Sequence, residues 1–315
     1  MIGARGRFRS PSAVVGEMAG LIRLGFRRIR IEDDLFTFQR ERALAICREV
    51  VHQGLDVGWR AYARVDTVDP ELLEWMGRAG CERVLFGAES GSPEILRRIR
   101  KGITPEQTRK AVEMCRKAGI GVLASFVLGL PGETPQTLRQ TLDFARSLRV
   151  PYTLNLLTPY VGTELWEEAE KWGIRILSND WRLYDQGKPL TATPTLGPWH
   201  LARAVGEYRR ELKGYLEHLL AQEHNGAPTR ESAEKLEHYR RWRFLRKLIG
   251  EEILERYGSH IAGAGEGGIE GLAKGLVPYM GMEIEEVRGH LHPLIEGGTL
   301  SLISGPTNSK WTWAT

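Results

Sequence analysis

The stretch Gly80–Thr134, GCERVLFGAESGSPEILRRIRKGITPEQTRKAVEMCRKAGIGVLASFVLGLPGET, decides the fold. An apolar run, Arg83–Phe86, is followed by a helix-like segment, Glu106–Lys117, a glycine at 119 and a second apolar run, Val122–Leu128. Near-continuous apolar runs of this length read as strands buried on both faces. Thr104-Pro105 fits a helix N-cap followed by proline at the first helical position. Glycine suits the left-handed residue that ends a helix. Strand, helix and strand with no hairpin turn between them form a right-handed crossover, and so a parallel pair.

The same unit recurs on either side. Gly25 precedes the run Arg28–Ile31, Gly54 precedes Val57–Ala63, and a fifth unit places helix Pro135–Leu148 before strand Tyr152–Leu157. Ser10-Pro11, Asp69-Pro70 and Thr134-Pro135 repeat the helix-start signature, with Asp69-Pro70 opening Glu71–Arg78. The expectation is a parallel α/β sheet curled into an open or partial barrel. The array opens on a helix, Ser10–Leu24, where such arrays open on a strand. A first strand is therefore expected to be missing ahead of Met1.

Composition bounds the rest. At 315 residues, 42% hydrophobic and 27% charged, the chain has room for a large domain and a smaller one, and it is not a disordered polymer. The longest apolar runs, such as Val122–Leu130, fall far short of the ~18 residues of a membrane span. Three cysteines cannot build a full disulfide framework, which points to reduced thiols and a cytoplasmic protein without a secretory signal. A net charge of +4 with pI near 9.0 is too mild to argue for nucleic acid.

In parallel α/β folds chemistry gathers beyond the carboxyl ends of the strands. Those ends carry Glu32-Asp33-Asp34, Arg64-Val65-Asp66, Gly87-Ala88-Glu89-Ser90-Gly91, Gly129-Leu130-Pro131-Gly132-Glu133 and Thr158-Pro159-Tyr160. Glu89 suits a vicinal diol such as a ribose, and Lys101 suits a ligand carboxylate. Gly87 and Gly91 admit a flat ligand close to the backbone, and Gly129 and Gly132 would do so for an adenine ring.

Read together, the strings resemble one family. Ile31-Glu32-Asp33-Asp34-Leu35-Phe36-Thr37 is similar to the DDxFT segment of radical S-adenosylmethionine (SAM) enzymes, especially their cobalamin-associated branch. Phe86–Pro93 resembles the family's GxES segment, with Lys101-Gly102-Ile103-Thr104 trailing it. Leu128–Thr134 resembles GLPGET, and Leu157–Thr163 resembles TPxxGT. The resemblance spans about Arg9 to Leu190. It implies a partial (β/α)6 barrel that holds a [4Fe-4S] cluster and S-adenosylmethionine at its open top. It also implies site residues: Glu89 and Ser125 toward the ribose, Lys101 with Arg64 nearby toward the methionine carboxylate, and Gly129, Leu130 and Leu157 around the adenine, with Gly87 and Ser90 among the cofactor-binding residues. Asp33 and Asp34 would line the methionine end.

The chain departs from the family at one decisive place. The resemblance implies a CxxxCxxC loop after the first strand, whose three thiolates bind the cluster and so permit reductive cleavage to a 5′-deoxyadenosyl radical. No such motif is present: the cysteines are Cys47, Cys81 and Cys115, read as core residues pointing into separate parts of the structure. The expected reason is truncation, a missing N-terminal segment or a protein partner that supplies it, with true loss as the alternative. Any upstream cobalamin-binding domain would be missing with it.

The expected organisation is a barrel over 1–160, a helical tail over 161–224 and a winged-helix-like α+β unit over 225–315. In the tail, Trp181–Tyr184, Pro194–Leu201 and Leu201–Ala221 read as helical, with His200 at a helix start. His224-Asn225-Gly226-Ala227-Pro228 reads as a linker. Arg240–Lys247, RRWRFLRK, reads as an amphipathic helix with Trp242, Leu245 and Ile249 turned inward. At the end come helices Ile269–Leu276 and Glu283–Ile295, then strands Leu300–Ile303 and Lys310–Trp313 joined by Gly305–Ser309. The would-be recognition helix carries Glu283, Glu285 and Glu286 against one arginine, Arg288, which opposes phosphate binding. Functionally the expectation is a radical SAM enzyme fragment acting by methyl transfer or other C–H activation on a small molecule. The alternatives are a non-catalytic nucleotide-binding scaffold and, more weakly, a regulator working through the C-terminal unit.

Overall fold

A computed structural model describes residues 7–184, 188–226, 229–262, 268–304 and 309–313. Ala227 and Pro228 of the expected linker, and Gly305–Asn308 of the expected terminal turn, lie outside the described residues. The chain divides into two compact units, Met1–Tyr208 and Arg209–Thr315.

In the first unit the elements run α1 (Pro11–Arg23), β1 (Arg28–Ile31), α2 (Arg40–His52), β2 (Gly58–Ala63), α3 (Pro70–Arg78) and β3 (Cys81–Glu89). They continue with α4 (Pro93–Arg98), α5 (Pro105–Lys117), β4 (Gly121–Leu128), α6 (Pro135–Ser147) and β5 (Tyr152–Leu156). The five strands lie in the order β1-β2-β3-β4-β5, every neighbouring pair parallel, and curl into a half-barrel. β1 and β5 are the outer strands of this sheet.

The punctuation read from the sequence acts as physical chemistry requires. Gly25, Gly54, Gly80 and Gly119 all sit at positive φ after helices. Ser10 and Asp69 cap α1 and α3 by accepting from the N–H groups of Ala13 and Leu72, and Thr104 and Thr134 form capping boxes with Gln107 and Thr137. The helices bury their apolar stripes against the strands. Trp59, Phe86 and Phe126 lie fully inside, with Phe126 edge-on to both Phe144 and Tyr152.

After β5 come α7 (Glu164–Glu167), β6 (Arg175–Ile176), a 3-10 turn over Trp181–Leu183, β7 (Thr191–Ala192) and α8 (Pro198–His224). This corrects the all-helical reading of the tail: β6 and β7 pair as a short antiparallel ribbon. Pro194 lies ahead of the helix because Thr193 and Thr195 both donate their hydroxyls to the Glu133 carbonyl, which holds that segment extended. His200 sits in the first turn of α8 and its Nδ1 accepts from the Gly197 N–H at 3.1 Å, so it closes a helix start.

The second unit holds α9 (Arg230–Gly250), α10 (Ile253–Ala262), α11 (Gly268–Met280), α12 (Ile284–Glu296), β8 (Leu300–Ser304) and β9 (Ser309–Trp313), the last two antiparallel. Its core gathers Phe244, Leu248, Leu272, Leu276, Val287, Leu291 and Trp311. The face of α9 differs from expectation. Phe244 and Leu248 are the buried residues, while Trp242 and Ile249 are more than half exposed. Three-residue and four-residue steps select a different stripe from the one centred on tryptophan. Trp242 is covered instead by the Arg246 guanidinium, 5.2 Å from its ring.

Two positions fix the strand-end loops of the first unit. Gly91 was read as admitting a ligand; it admits a helix instead. A Cβ there would lie 2.5 Å from Phe144 Cβ, 2.8 Å from the Gln140 carbonyl and 2.9 Å from Thr141 Cα, so only glycine lets the β3 loop touch α6. Glu133 is wholly buried, accepts the Gly129 N–H at 2.6 Å through Oε2, and leaves Oε1 without a partner. Burial pushes its pKa up from 4.5 to about 7, against the pull of the Gly129 and Leu130 N–H groups.

Gly91→Ala should cost about 1–3 kcal/mol, read as a lower urea midpoint at unchanged slope. For Glu133 the native carboxyl holds its proton more tightly than the unfolded one. Its favourable contribution is therefore complete below pH 4.5 and is lost as the pH rises toward about 7. Glu133→Gln should flatten the fall in stability across that window, measured by urea melts at successive pH values.

Candidate functional site

The geometry at the carboxyl ends begins with an irregularity in β3. Gly87 pairs with Ser125 and Glu89 with Phe126, so the register slips by one residue at Ala88. The bulge throws Glu89 to φ 60°, a conformation costly for a non-glycine residue, and the Ser90 N–H closes the turn on the Ala88 carbonyl at 2.7 Å. Strain of this kind persists only where the surroundings hold it. Here the holder is Lys101, whose Nζ donates to Glu89 Oε1 at 2.6 Å with both side chains about one-fifth exposed.

Gly87 lies against this pair. A Cβ on it would stand 2.7 Å from Glu89 Oε1 and 3.2 Å from Lys101 Nζ, so any side chain would fill the cradle. Lys101 is itself held from behind: Arg64 donates to its carbonyl at 2.8 Å and grips Asp66 through two bonds at 2.9 and 2.8 Å. The Arg64 guanidinium keeps the Asp66 carboxyl below the ordinary carboxylate range. Ser125, opposite Gly87, accepts from Asn155 Nδ2 at 2.9 Å. Arg64, Gly87, Glu89, Lys101 and Ser125 thus come together at the ends of β2, β3 and β4.

A second, apolar grouping forms at the ends of β4 and β5. Gly129, at φ 86°, faces Leu157, Thr191 and Leu201, and a Cβ there would meet Leu201 Cδ1 at 3.1 Å. Leu130 and Leu157 share a buried cluster with Ile95 and Ile174. The first turn of α8 and the β6–β7 ribbon therefore cover the strip assigned to the adenine, and Leu201 is the side chain closest to Gly129 there.

Three expectations need adjusting. Ser90 is buried, its hydroxyl bonded to Thr141 Oγ1 at 2.9 Å and accepting the Ser92 N–H; it fastens the loop to α6 and does not face a ligand. Asp33 and Asp34 line a separate shallow hollow with Glu32 and Tyr62 at the end of β1, whose lining includes none of Glu89, Lys101 and Ser125. The three cysteines share one core, correcting the reading that they point into separate parts. All are buried and free, and burial pushes Cys47 and Cys115 up to about 12 and Cys81 further still. Cys81 opens β3 at its amino end and Cys47 and Cys115 lie on α2 and α5, away from the carboxyl ends of the strands. Among the described residues no group of three histidine, cysteine, aspartate or glutamate side chains could hold a metal ion. Among the described residues no set of thiols for a cluster stands at the strand ends, whereas Gly87, Glu89, Lys101 and Ser125 bring a carboxylate, an ammonium and a hydroxyl together there.

Sequence reasoning missed Asn155, which orients Ser125, and placed Asp66 at a strand end without its role of gripping Arg64. Asn155, a lone amide in the run Tyr152–Leu157, was the available signal for the first. It also gave no role to Trp166, Trp181 and Tyr184, which with Tyr160 form a cluster of rings beyond β5.

Comparison with known proteins agrees with this architecture. Residues 2–145 match the Radical SAM superfamily. An uncharacterized methyltransferase of Pyrococcus horikoshii is 38% identical over 190 residues, 60% of this chain and 41% of that protein. The bacteriochlorophyllide d C-12(1)-methyltransferase of Chlorobaculum tepidum is 29% identical over 212 residues, 65% of this chain and 45% of that protein. Among solved structures, the radical S-adenosylmethionine methyltransferase TsrM of Kitasatospora setae, with cobalamin and a [4Fe-4S] cluster bound, superposes with TM-score 0.50 at 26% identity. That match covers 55% of this chain and 37% of the TsrM chain. The chain spans less than half the length of these relatives. Residues 2–145 are thus those of a Radical SAM superfamily domain, and the relatives, with the cobalamin-containing TsrM among them, support a likeness to its cobalamin-associated branch.

Proposed function

We propose that this chain is the S-adenosylmethionine-holding part of a radical SAM enzyme that transfers a methyl group to a small molecule. The observation that carries the reading is the strained Glu89, held by Lys101 over the bare backbone of Gly87. A bulge, a positive φ and a glycine at one strand end have little structural purpose, and together they make a charged cradle open to a ligand.

In this reading the ribose hydroxyls donate to Glu89. Ser125 already accepts from Asn155, so its own proton is directed to the same ribose. Lys101 keeps its bond to Glu89 and offers a second donor to the methionine carboxylate, while the Arg64 bond keeps the Lys101 backbone in place. Leu130 and Leu157 supply the apolar wall for the adenine, and Gly129 the close approach, once Leu201 gives way. Asp33 and Asp34, which line a separate hollow at the end of β1, take no part in this cradle.

The metal centre of the superfamily is not built from this chain's own thiols, which are buried in its core. Cobalamin as methyl carrier enters the proposal through the relatives, TsrM above all, whose structure contains it. Relatives acting on small molecules, such as a tryptophan 2-C-methyltransferase of Streptomyces laurentii, support a small-molecule acceptor. No helix among the described residues is long and apolar enough to cross a membrane. A cytoplasmic setting, suggested by three unpaired thiols, belongs to the same proposal. In the second unit Arg288 is bound to Glu270 and Glu285, which leaves α12 acidic and supports a role other than reading nucleic acid.

Calorimetry should show S-adenosylmethionine binding to the chain, weakened about tenfold to a hundredfold by Lys101→Met or Glu89→Gln. Unchanged affinity in both variants would overturn the assignment. Anaerobic treatment with iron and sulfide should leave iron well below one cluster per chain, and replacing all three cysteines by serine should change nothing. A stoichiometric cluster, read by iron content and visible absorption, would show that the chain supplies its own ligands after all.

A further inference from the structure

Four aromatic rings stand together just past the end of β5. Trp166 and Trp181 lie 5.9 Å apart with their planes 26° from parallel, Trp181 and Tyr184 are 4.7 Å apart, and Tyr160 is 6.3 Å from Tyr184. Trp181 is 54% exposed and Tyr160 45% exposed, so the cluster offers ring surface to solvent. Exposed aromatic surface in one patch is uncommon in a folded chain and marks contact sites.

The patch is also pre-set. Thr163 caps α7 beneath Trp166 and donates its hydroxyl to the Tyr160 carbonyl at 2.6 Å. Asp180 caps the turn that carries Trp181, and Tyr184 donates its hydroxyl to the Ser178 carbonyl at 2.8 Å. The backbone that carries the rings is thus fixed by hydrogen bonds of its own segments, and the Tyr184 ring is tied by its hydroxyl as well, which lowers the entropy lost on binding. Its location is equally specific. Leu165, next to Trp166 on α7, packs against the cluster of Leu130 and Leu157. The rings therefore continue outward from the apolar strip assigned above to the adenine.

We propose that Tyr160, Trp166, Trp181 and Tyr184 form the landing surface for the methyl acceptor, and that this acceptor is a planar, conjugated ring system. The inference deepens the proposed function and rests on it only in naming the occupant as the acceptor. An aliphatic or lipid-like occupant would be matched by leucine and valine; here the contact surface is mainly aromatic ring, whose faces favour offset stacking with another π system. Two indoles 26° from parallel, with Tyr184 against both and Tyr160 beyond Tyr184, make a ring cluster larger than a single six-membered ring.

The test uses the full chain and the fluorescent probe pyrenebutyrate, with cyclohexanebutyrate as a saturated competitor carrying the same carboxylate. Pyrenebutyrate should bind, and Trp181→Ala should weaken it about tenfold. Trp181→Leu, which keeps an apolar side chain without the π face, should weaken it nearly as much. Trp242→Ala, at an exposed tryptophan of the other unit, should leave it unchanged, and cyclohexanebutyrate should not compete at comparable concentration. Absence of probe binding would overturn the proposal, and so would wild-type affinity in both Trp181 variants, full retention in Trp181→Leu, or an equal loss in Trp242→Ala. S-adenosylmethionine binding is measured on the same samples. Its failure with intact probe binding would remove the proposed function but leave the platform, and the converse result would remove the platform alone.

Discussion

One contact organises the functional end of this molecule: the Lys101 ammonium on the Glu89 carboxylate, 2.6 Å away. It holds a residue in a backbone region that its own Cβ disfavours, and that residue exists there because β3 and β4 slip register at Ala88. A regular strand would send the Glu89 side chain to a different face. The bulge, the missing side chain at Gly87 and the Arg64 bond behind Lys101 are consequences of the same demand. A carboxylate and an ammonium must meet at a strand tip with room left beside them.

The surroundings show how a parallel α/β scaffold meets that demand. Strand–helix contacts are set by small residues where the chain must pass closely, as at Gly91 under α6, and by hydroxyl bonds such as Ser90 to Thr141. A buried carboxylate, Glu133, fixes the next loop through the Gly129 N–H. These groups do not face a ligand. Their work is to keep the loops that do so from relaxing, and they are buried for that reason.

How much of this was legible in the sequence follows from range. Strands and helices are written locally: a proline after Ser10, Asp69, Thr104 or Thr134, a glycine at 25, 54, 80 or 119, and apolar runs between them suffice to order five parallel strands. The pairing of Glu89 with Lys101 was visible only as two residues each suited to part of one ligand, because their contact crosses a helix. The roles of Gly91 and Ser90 were misjudged because Phe144 and Thr141, about 50 positions away, decide them. The stripe of α9 was misjudged for a related reason. Tryptophan is the most apolar-looking residue in RRWRFLRK, yet the helix phase that suits the core is the one through Phe244 and Leu248. The ring cluster beyond β5 was invisible because its members come from three loops with no shared pattern.

The outer strand β1 carries a last implication. Its exposed positions, Arg28 and Arg30, bear guanidinium groups tied to Glu82 and Glu32. A flank of peptide groups lined in this way is poorly suited to zip onto its own likeness, since two copies approaching side by side would crowd cation against cation. Charge on this margin therefore guards a half-closed sheet against fibrous self-association.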